Sequence, residues 1–139
     1  MSRLKLDPEV LGMSSLLEKR TGVHVKDCFR DEDETWYVIV SPGELGKAVG
    51  KEGSMVKRLQ EEIGKKIRVI EFRENVVEFI RNIIYPLQIA EVIEEGEFLV
   101  LKDNNKKTKS LLIGRQGRNI NILNRAVKRF FPIKEVKVE

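Results

Sequence analysis

One cysteine and one histidine occur in the 139 residues. A lone Cys28 closes no internal disulfide, which fits a reducing cytosol. Cys28 and His24 together cannot complete a Cys/His zinc site within one chain. Haem attachment and Cys-x-x-Cys redox chemistry fall by the same count, so no metal and no cofactor is expected. No apolar run approaches the roughly 20 residues of a membrane span, and no membrane partner is expected. Met1 to Pro8 is polar and charged, so no secretory leader is expected. Net charge is also scarce: 26 Lys+Arg against 22 Asp+Glu leave a formal +4. What is plentiful is charge of both signs, 35% of residues, against about 25% in ordinary chains. Such a surface is well solvated and sometimes thermophilic. Alone, +4 points to no nucleic-acid partner. The length allows one ordinary domain or two small ones, and one fold this long buries roughly two-thirds of its unfolded surface.

Asp7-Pro8-Glu9 reads as an N-cap, a proline at the first helical position and an acidic first turn. Val10, Leu11, Met13 and Leu17 form the apolar stripe of that helix, and Gly22 ends it. Val23 to Phe29 alternates at period two, Arg30 to Thr35 is a charged turn, and Trp36 to Val40 is rich in strand formers. Together they predict a β-hairpin. Ser41-Pro42-Gly43 breaks it. A short helix over Glu44 to Val49 meets a tight turn at Gly50-Lys51-Glu52-Gly53. A longer helix follows with Met55, Val56, Leu59 and Ile63 at helical spacing. Gly64 closes that helix, and Ile67 to Phe72 is a strand.

The second half repeats this order. Val76 to Ile84 is a helical stripe closed by Pro86. Gln88 to Glu94 and Phe98 to Leu101 read as strands, and Lys102 to Ser110 as a polar loop rich in Lys and Asn. Leu111-Leu112-Ile113 leads into Gly114-Arg115-Gln116-Gly117. A helix with Ile120, Leu123, Val127 and Phe130 and a strand over Ile133 to Glu139 complete the chain. Gly50 and Gly114 lie 64 apart, as do Gly53 and Gly117, and the same offset takes Val56 to Ile120, Leu59 to Leu123 and Ile63 to Val127. Insertions around loops break the match, as duplication with loop drift produces. The expectation is an α+β chain of two α-β-β-α-α-β units, residues 1–73 and 74–139. No Gly/Ser or Pro-rich linker joins them, so they are expected to pack as one rigid unit.

The motif with chemical content is the pair of glycine loops. A lone Gly-x-x-Gly is weak evidence. Two of them, each after a hairpin and between two helices, are far more specific. Glycines strip Cβ atoms from a sharp helix–helix turn, letting a phosphodiester approach. Amides at the start of the next helix are expected to point at the phosphate. Flanking aliphatics make a groove for single-stranded bases. The candidate RNA-binding residues are Lys47, Gly50, Lys51, Glu52, Gly53, Lys57 and Arg58 in the first half. In the second they are Gly114, Arg115, Gln116, Gly117, Arg118 and Asn119.

This pattern resembles the KH nucleic-acid-binding module, whose GXXG loop clamps four nucleotides of backbone. The helix and strand preceding each loop look like the type II arrangement. Two abutting units resemble the tandem KH region of NusA-type factors, and a short chain with little else resembles the archaeal ones. The resemblance covers about Asp7 to Glu139. It implies one extended RNA-binding face and a role in transcription termination or antitermination. It also implies single-stranded RNA as partner, RNA polymerase or other transcription factors as further partners, a cytoplasmic monomer and no enzymatic activity. Bacterial members carry a polymerase-binding region and an OB-type domain before the KH pair, for which none of these residues is left over. Lys51-Glu52 departs from the family habit of basic or small residues at those positions. Glu52 opposes a phosphate, with Lys47, Lys51, Lys57 and Arg58 to offset it, so the second loop is expected to bind more strongly.

Other readings stand beside this one. The chain is alternatively a KH-fold adaptor whose loops no longer bind RNA, or an RNA-binding protein of ribosome assembly or RNA processing. The lysine-rich Lys102 to Lys109 is equally a solvated loop or an RNA contact. Of Trp36 and Tyr37, alternation buries at least one. Phe130 and Phe131 read as core. His24 and Cys28, four apart on one strand face, have no acidic orienting residue and read as ordinary strand residues. Gly46 to Lys51 has three residues between its glycines and Glu52 at the Ser/Thr position, and so fails as a P-loop. Asp31 to Glu34 lacks calcium-loop spacing. Met1–Phe72 holds 13 basic and 13 acidic residues, while Arg73–Glu139 holds 13 and 9. The whole excess lies in the second repeat, which is expected to supply most of the electrostatic attraction.

Overall fold

A computed structural model describes residues 8–139, and the N-cap expected at Asp7 lies outside them. The chain divides between Arg73 and Glu74 into two compact units. The first runs α1 (Pro8–Thr21), β1 (Val25–Arg30), β2 (Trp36–Val40), α2 (Leu45–Val49), α3 (Ser54–Ile63) and β3 (Ile67–Glu71). The second repeats the order with α4 (Val76–Ile84), β4 (Glu91–Glu95), β5 (Phe98–Lys102), α5 (Lys106–Ile113), α6 (Arg118–Phe130) and β6 (Glu135–Val138). The class is α+β. In each unit the first two strands pair antiparallel and the central strand pairs parallel with the last. A parallel pair needs a long crossover. Here the crossover is two helices with a glycine loop between them, which puts each loop at one end of the helix layer.

Val10, Met13 and Leu17 of α1, Val38 and Val40 of β2, Ala48 of α2 and Leu59 of α3 share the core of the first unit. Met55, Val56 and Ile63 pack against it, half-buried. Leu11 is 39% exposed and outside the expected stripe, because it sits about 100° round the helix from Val10. In the second unit Leu123 and Val127 are buried with Ile122 and Ala126, while Ile120 and Phe130 are half-buried. Phe79 packs on Phe130 edge-on and on Phe131, each at 6.0 Å between ring centroids. Helix α4 starts at Asn75, whose side chain accepts from the amides of Val77 and Glu78. Such a cap contributes about 1 kcal/mol.

Helix α3 is tied to β3 by Gln60, whose Oε1 accepts from the Ile67 amide at 2.8 Å. Its counterpart by the 64-residue offset is Asn124 on α6. The Asn124 Oδ1 accepts from the Val136 amide at 2.8 Å, and its Nδ2 donates to the Val136 carbonyl at 3.1 Å. One side chain thus fixes β6 to α6 through both backbone groups of one residue.

The structure corrects or sharpens several sequence expectations. Lys102 to Ser110 is not one loop: α5 begins at Lys106, after Asn105 caps it by accepting from the Thr108 amide at 3.0 Å. Two strands of the second unit are shorter than read, with β4 starting at Glu91 and β6 at Glu135. All five residues of β2 are buried, so Trp36 and Tyr37 both belong to the interior and the Tyr37 ring stacks on Phe29 at 5.3 Å. A bulge between Val25 and Asp27 breaks the period-two reading. His24 lies before β1, exposed, with Nδ1 3.0 Å from the Ser41 hydroxyl, whereas Cys28 is 1% exposed. The two are not a pair.

The acidic hairpin turn also has a structural use. Asp31 Oδ1 accepts from the amides of Asp33 and Thr35, and its Oδ2 accepts from the Tyr37 hydroxyl. Among the described residues no group of three or more His, Cys, Asp or Glu side chains is placed to hold a metal ion. No helix among them is long and apolar enough to cross a membrane.

Candidate nucleic-acid interface

The two glycine loops have nearly the same backbone. Gly50 has φ 82 and ψ 171, and Gly114 has φ 77 and ψ 171. Glu52 and Gln116 take φ 54 and 57, and Gly53 and Gly117 take φ 75. The first glycine of each loop lies in a region open essentially to glycine alone. It also has no room for a side chain: a Cβ on Gly50 would stand 2.8 Å from Met55 Cβ and 2.9 Å from Met55 N. On Gly114 it would stand 2.8 Å from Asn119 Cγ and 2.9 Å from Asn119 N. The space that a missing Cβ was expected to open for a phosphate is filled here by the following helix. The second glycine differs, because a Cβ on Gly53 or Gly117 meets nothing closer than 3.9 or 3.8 Å. Its requirement is the left-handed backbone.

Two amides expected to face a ligand are bonded inside each loop. Gly53 N donates to Gly50 O and Ser54 N to Lys51 O; Gly117 N donates to Gly114 O and Arg118 N to Arg115 O. The tip side chains project outward. Lys51, Glu52, Arg115 and Gln116 are all exposed, and the four loop glycines are half-buried. Each loop therefore offers a pair of solvent-facing side chains on a backbone fixed by its own hydrogen bonds.

The remaining candidates separate into roles. Lys47, exposed on α2, reaches toward the Gly22 carbonyl at 3.5 Å, near the end of α1. The Lys57 stem lies beside Gly53, and Lys57 lines an open groove with Gln60, Glu61, Gly64, Lys65 and Lys66. Arg58 shares its charge with Glu62. That carboxyl is held below the usual carboxylate range chiefly by a hydrogen bond from Arg20, with the Arg20 and Arg58 charges assisting against desolvation. Arg20 makes both bonds to Glu62, at 2.9 and 2.7 Å. Arg118 is half-buried at the start of α6. Asn119 is exposed, and its Nδ2 donates to the Leu111 carbonyl at 2.7 Å, tying the last turn of α5 to the first turn of α6. Met55 stands at the matching position of the first loop and carries no such amide.

Two features escaped the sequence. Leu111 and Ile113, read as part of the aliphatic run flanking the loop but not as exposed, are 44% and 40% exposed on α5. Lys106, Lys107 and Lys109, read as loop residues, ride on the same helix. Only the Asn105 side chain three residues before Thr108 signalled that helix start.

Residues 15–94 match the KH domain family, a stretch that includes the first loop and ends before the second. The chain is 33% identical over 139 residues to the probable transcription termination protein NusA of Methanococcus vannielii, across 98% of this chain and 80% of that one. It is 30% identical over 141 residues to the protein of the same description from Methanocaldococcus jannaschii, across 99% of this chain and 76% of that one. The crystal structure of APE1850 superposes with a TM-score of 0.76 at 27% identity, covering 96% of this chain and 100% of that one.

Proposed function

Because this chain belongs to the KH domain family and to its archaeal NusA-type members, we propose that it binds single-stranded RNA and acts as a NusA-type transcription termination factor without catalysing a reaction. The reading extends to both units as type II KH domains, each taking a short stretch of RNA. The observation that carries it is the matched pair of loops, with backbone angles alike within a few degrees and exposed polar tips. A structural turn needs its glycines but has no need of Arg115-Gln116 held outward at the tip. Arg115 supplies a charged contact to phosphate, which positions the strand without specifying its sequence. RNA polymerase is the further partner this reading names.

The test is filter binding of short single-stranded RNA across a salt series. Wild type is expected to lose affinity with a log–log slope of about −0.7 per phosphate contacted. R115D together with Q116D is expected to abolish binding by the second unit while the fold persists, since Asp tolerates the left-handed backbone at Gln116. A folded double mutant with unchanged affinity removes that loop from the assignment. A second reading, a KH-fold protein adaptor, is favoured by Glu52, which meets a phosphate with like charge. The adaptor predicts no salt-sensitive RNA binding by wild type.

A further inference from the structure

The lysine-rich segment before the second loop has no counterpart in the first unit. By the 64-residue offset, Lys106, Lys107 and Lys109 stand where the first unit has Pro42, Gly43 and Leu45. Helix α5 is accordingly longer than α2, 8 residues against 5; the added residues include Lys106 and Lys107, and Lys109 follows at the position of Leu45. The start of a helix is the unfavourable end for positive charge, since the helix dipole is positive there. The first turn holds no acidic residue to compensate. The nearby Asp103 makes no ion pair with them among those found in the described residues; its Oδ1 accepts from the Asn105 amide and its Oδ2 from the Ala90 amide. Among the described residues none of the three ammonium groups has an ion-pair or hydrogen-bond partner.

The same helix supplies a second observation. Leu111 follows Lys107 by four residues and Ile113 follows Lys109 by four, so each exposed apolar side chain lies on the stripe below a lysine. Going down α5, the surface passes from unpaired cations to exposed aliphatics to the Gly114 loop. Cations followed by apolar surface suit a chain whose charges and flat apolar faces alternate, which is the chemistry of a single nucleic-acid strand. The helix is about 12 Å long, so its lysines stand about 10 Å from the loop. A strand at least as extended as the 3.4 Å rise of a duplex strand spans that in about three nucleotides or fewer.

Resting on the RNA-binding reading above, we infer that Lys106, Lys107 and Lys109 form a second phosphate-contacting surface. It lengthens the RNA footprint of the second unit beyond its glycine loop and has no equivalent in the first unit. These contacts are to the backbone, so they add affinity and salt dependence without sequence preference.

The test compares a four-nucleotide and a twelve-nucleotide oligouridylate on wild type and on the triple variant K106Q, K107Q, K109Q, from about 50 to 200 mM salt. Glutamine keeps helix propensity and removes the misplaced charge, so the variant is expected to melt no lower than wild type. Its affinity for the dodecamer is expected to fall about tenfold at low salt, with a log–log slope shallower by about 2, while the tetramer is unaffected. An unchanged dodecamer slope overturns the inference. So does poly-glutamate competing as well as the dodecamer for wild type, which assigns the surface to acidic protein instead. If wild type binds neither oligomer, the RNA reading itself fails. If both bind and the variant matches wild type, only this inference fails.

Discussion

Gly50–Gly53 and Gly114–Gly117 follow the same path with different side chains on it. Where the backbone is concerned, the two loops agree to within a few degrees at every glycine. Where the tip is concerned, one carries Lys51-Glu52 and the other Arg115-Gln116. What the helix–helix turn demands is the same in both loops, and what faces solvent differs. The surroundings diverge in the same sense. The Arg20–Glu62 and Lys65–Glu34 ion pairs lie in the first unit, while the second unit carries the unpartnered lysines of α5. Residues 1–72 carry no net charge, and residues 73–139 carry the whole excess.

The comparison breaks most visibly at the glycines. Gly114→Ala combines a backbone region closed to alanine with a Cβ under 3 Å from Asn119. A loss of about 2–4 kcal/mol is expected. Gly117→Ala meets only the left-handed backbone and is expected to cost about 1 kcal/mol. Urea unfolding of the two variants measures both, and equal losses would refute the separate roles given to the two glycines. Next in size is Glu52→Gln, which gives the first loop the residue that already occupies this backbone position in the second. Removing the like charge is expected to tighten RNA binding by about three- to tenfold at low salt, with the gain fading as salt screens it. No gain at low salt places Glu52 away from the RNA.

Smallest is a pH effect confined to the first unit. Glu34 and Glu62 are held below the usual carboxylate range, first by hydrogen bonds from Lys65 and Arg20 respectively and then by charge. Carboxyls lowered in the folded state favour it while ionised. Their contribution is therefore present at neutral pH and lost as pH falls through those lowered values. Melting curves from about pH 7 to about pH 3 should show wild type losing stability that E34Q with E62Q does not lose. Both pairs are exposed, so the difference should shrink in high salt.

Much of this was legible because it rests on local rules. The helices announced themselves by apolar spacing, as at Leu59 and Ile63 or at Leu123 and Val127. The element order of each unit followed from the strand and helix signals and their repeat, whereas the strand order in the sheets came only with the structure. Other features depend on context that spacing does not carry. The bulge between Val25 and Asp27 moves side chains without leaving a sequence mark, which is why His24 and Cys28 appeared to share a face. Lys106 to Lys109 has no apolar period, so only the cap at Asn105 separates a helical turn from a loop. At the candidate site, the glycines and tip residues were readable from the repeat. That the first glycine makes room for its own helix rather than for a phosphate was not, since it depends on the approach of Met55 and Asn119.

Asn124 has a consequence for how this chain behaves among its own copies. The last strand of a sheet has a side that no neighbouring strand pairs, and such a side invites strands from other molecules. At Val136 the amide and the carbonyl are both already held by one carboxamide. An incoming strand would have to displace that side chain and leave its polar atoms to find other partners, and at Ile67 it would meet the Gln60 oxygen on the amide. Side chains from the helix layer thus act as stoppers on strand addition, a protection against edge-to-edge aggregation built without proline or an extra strand.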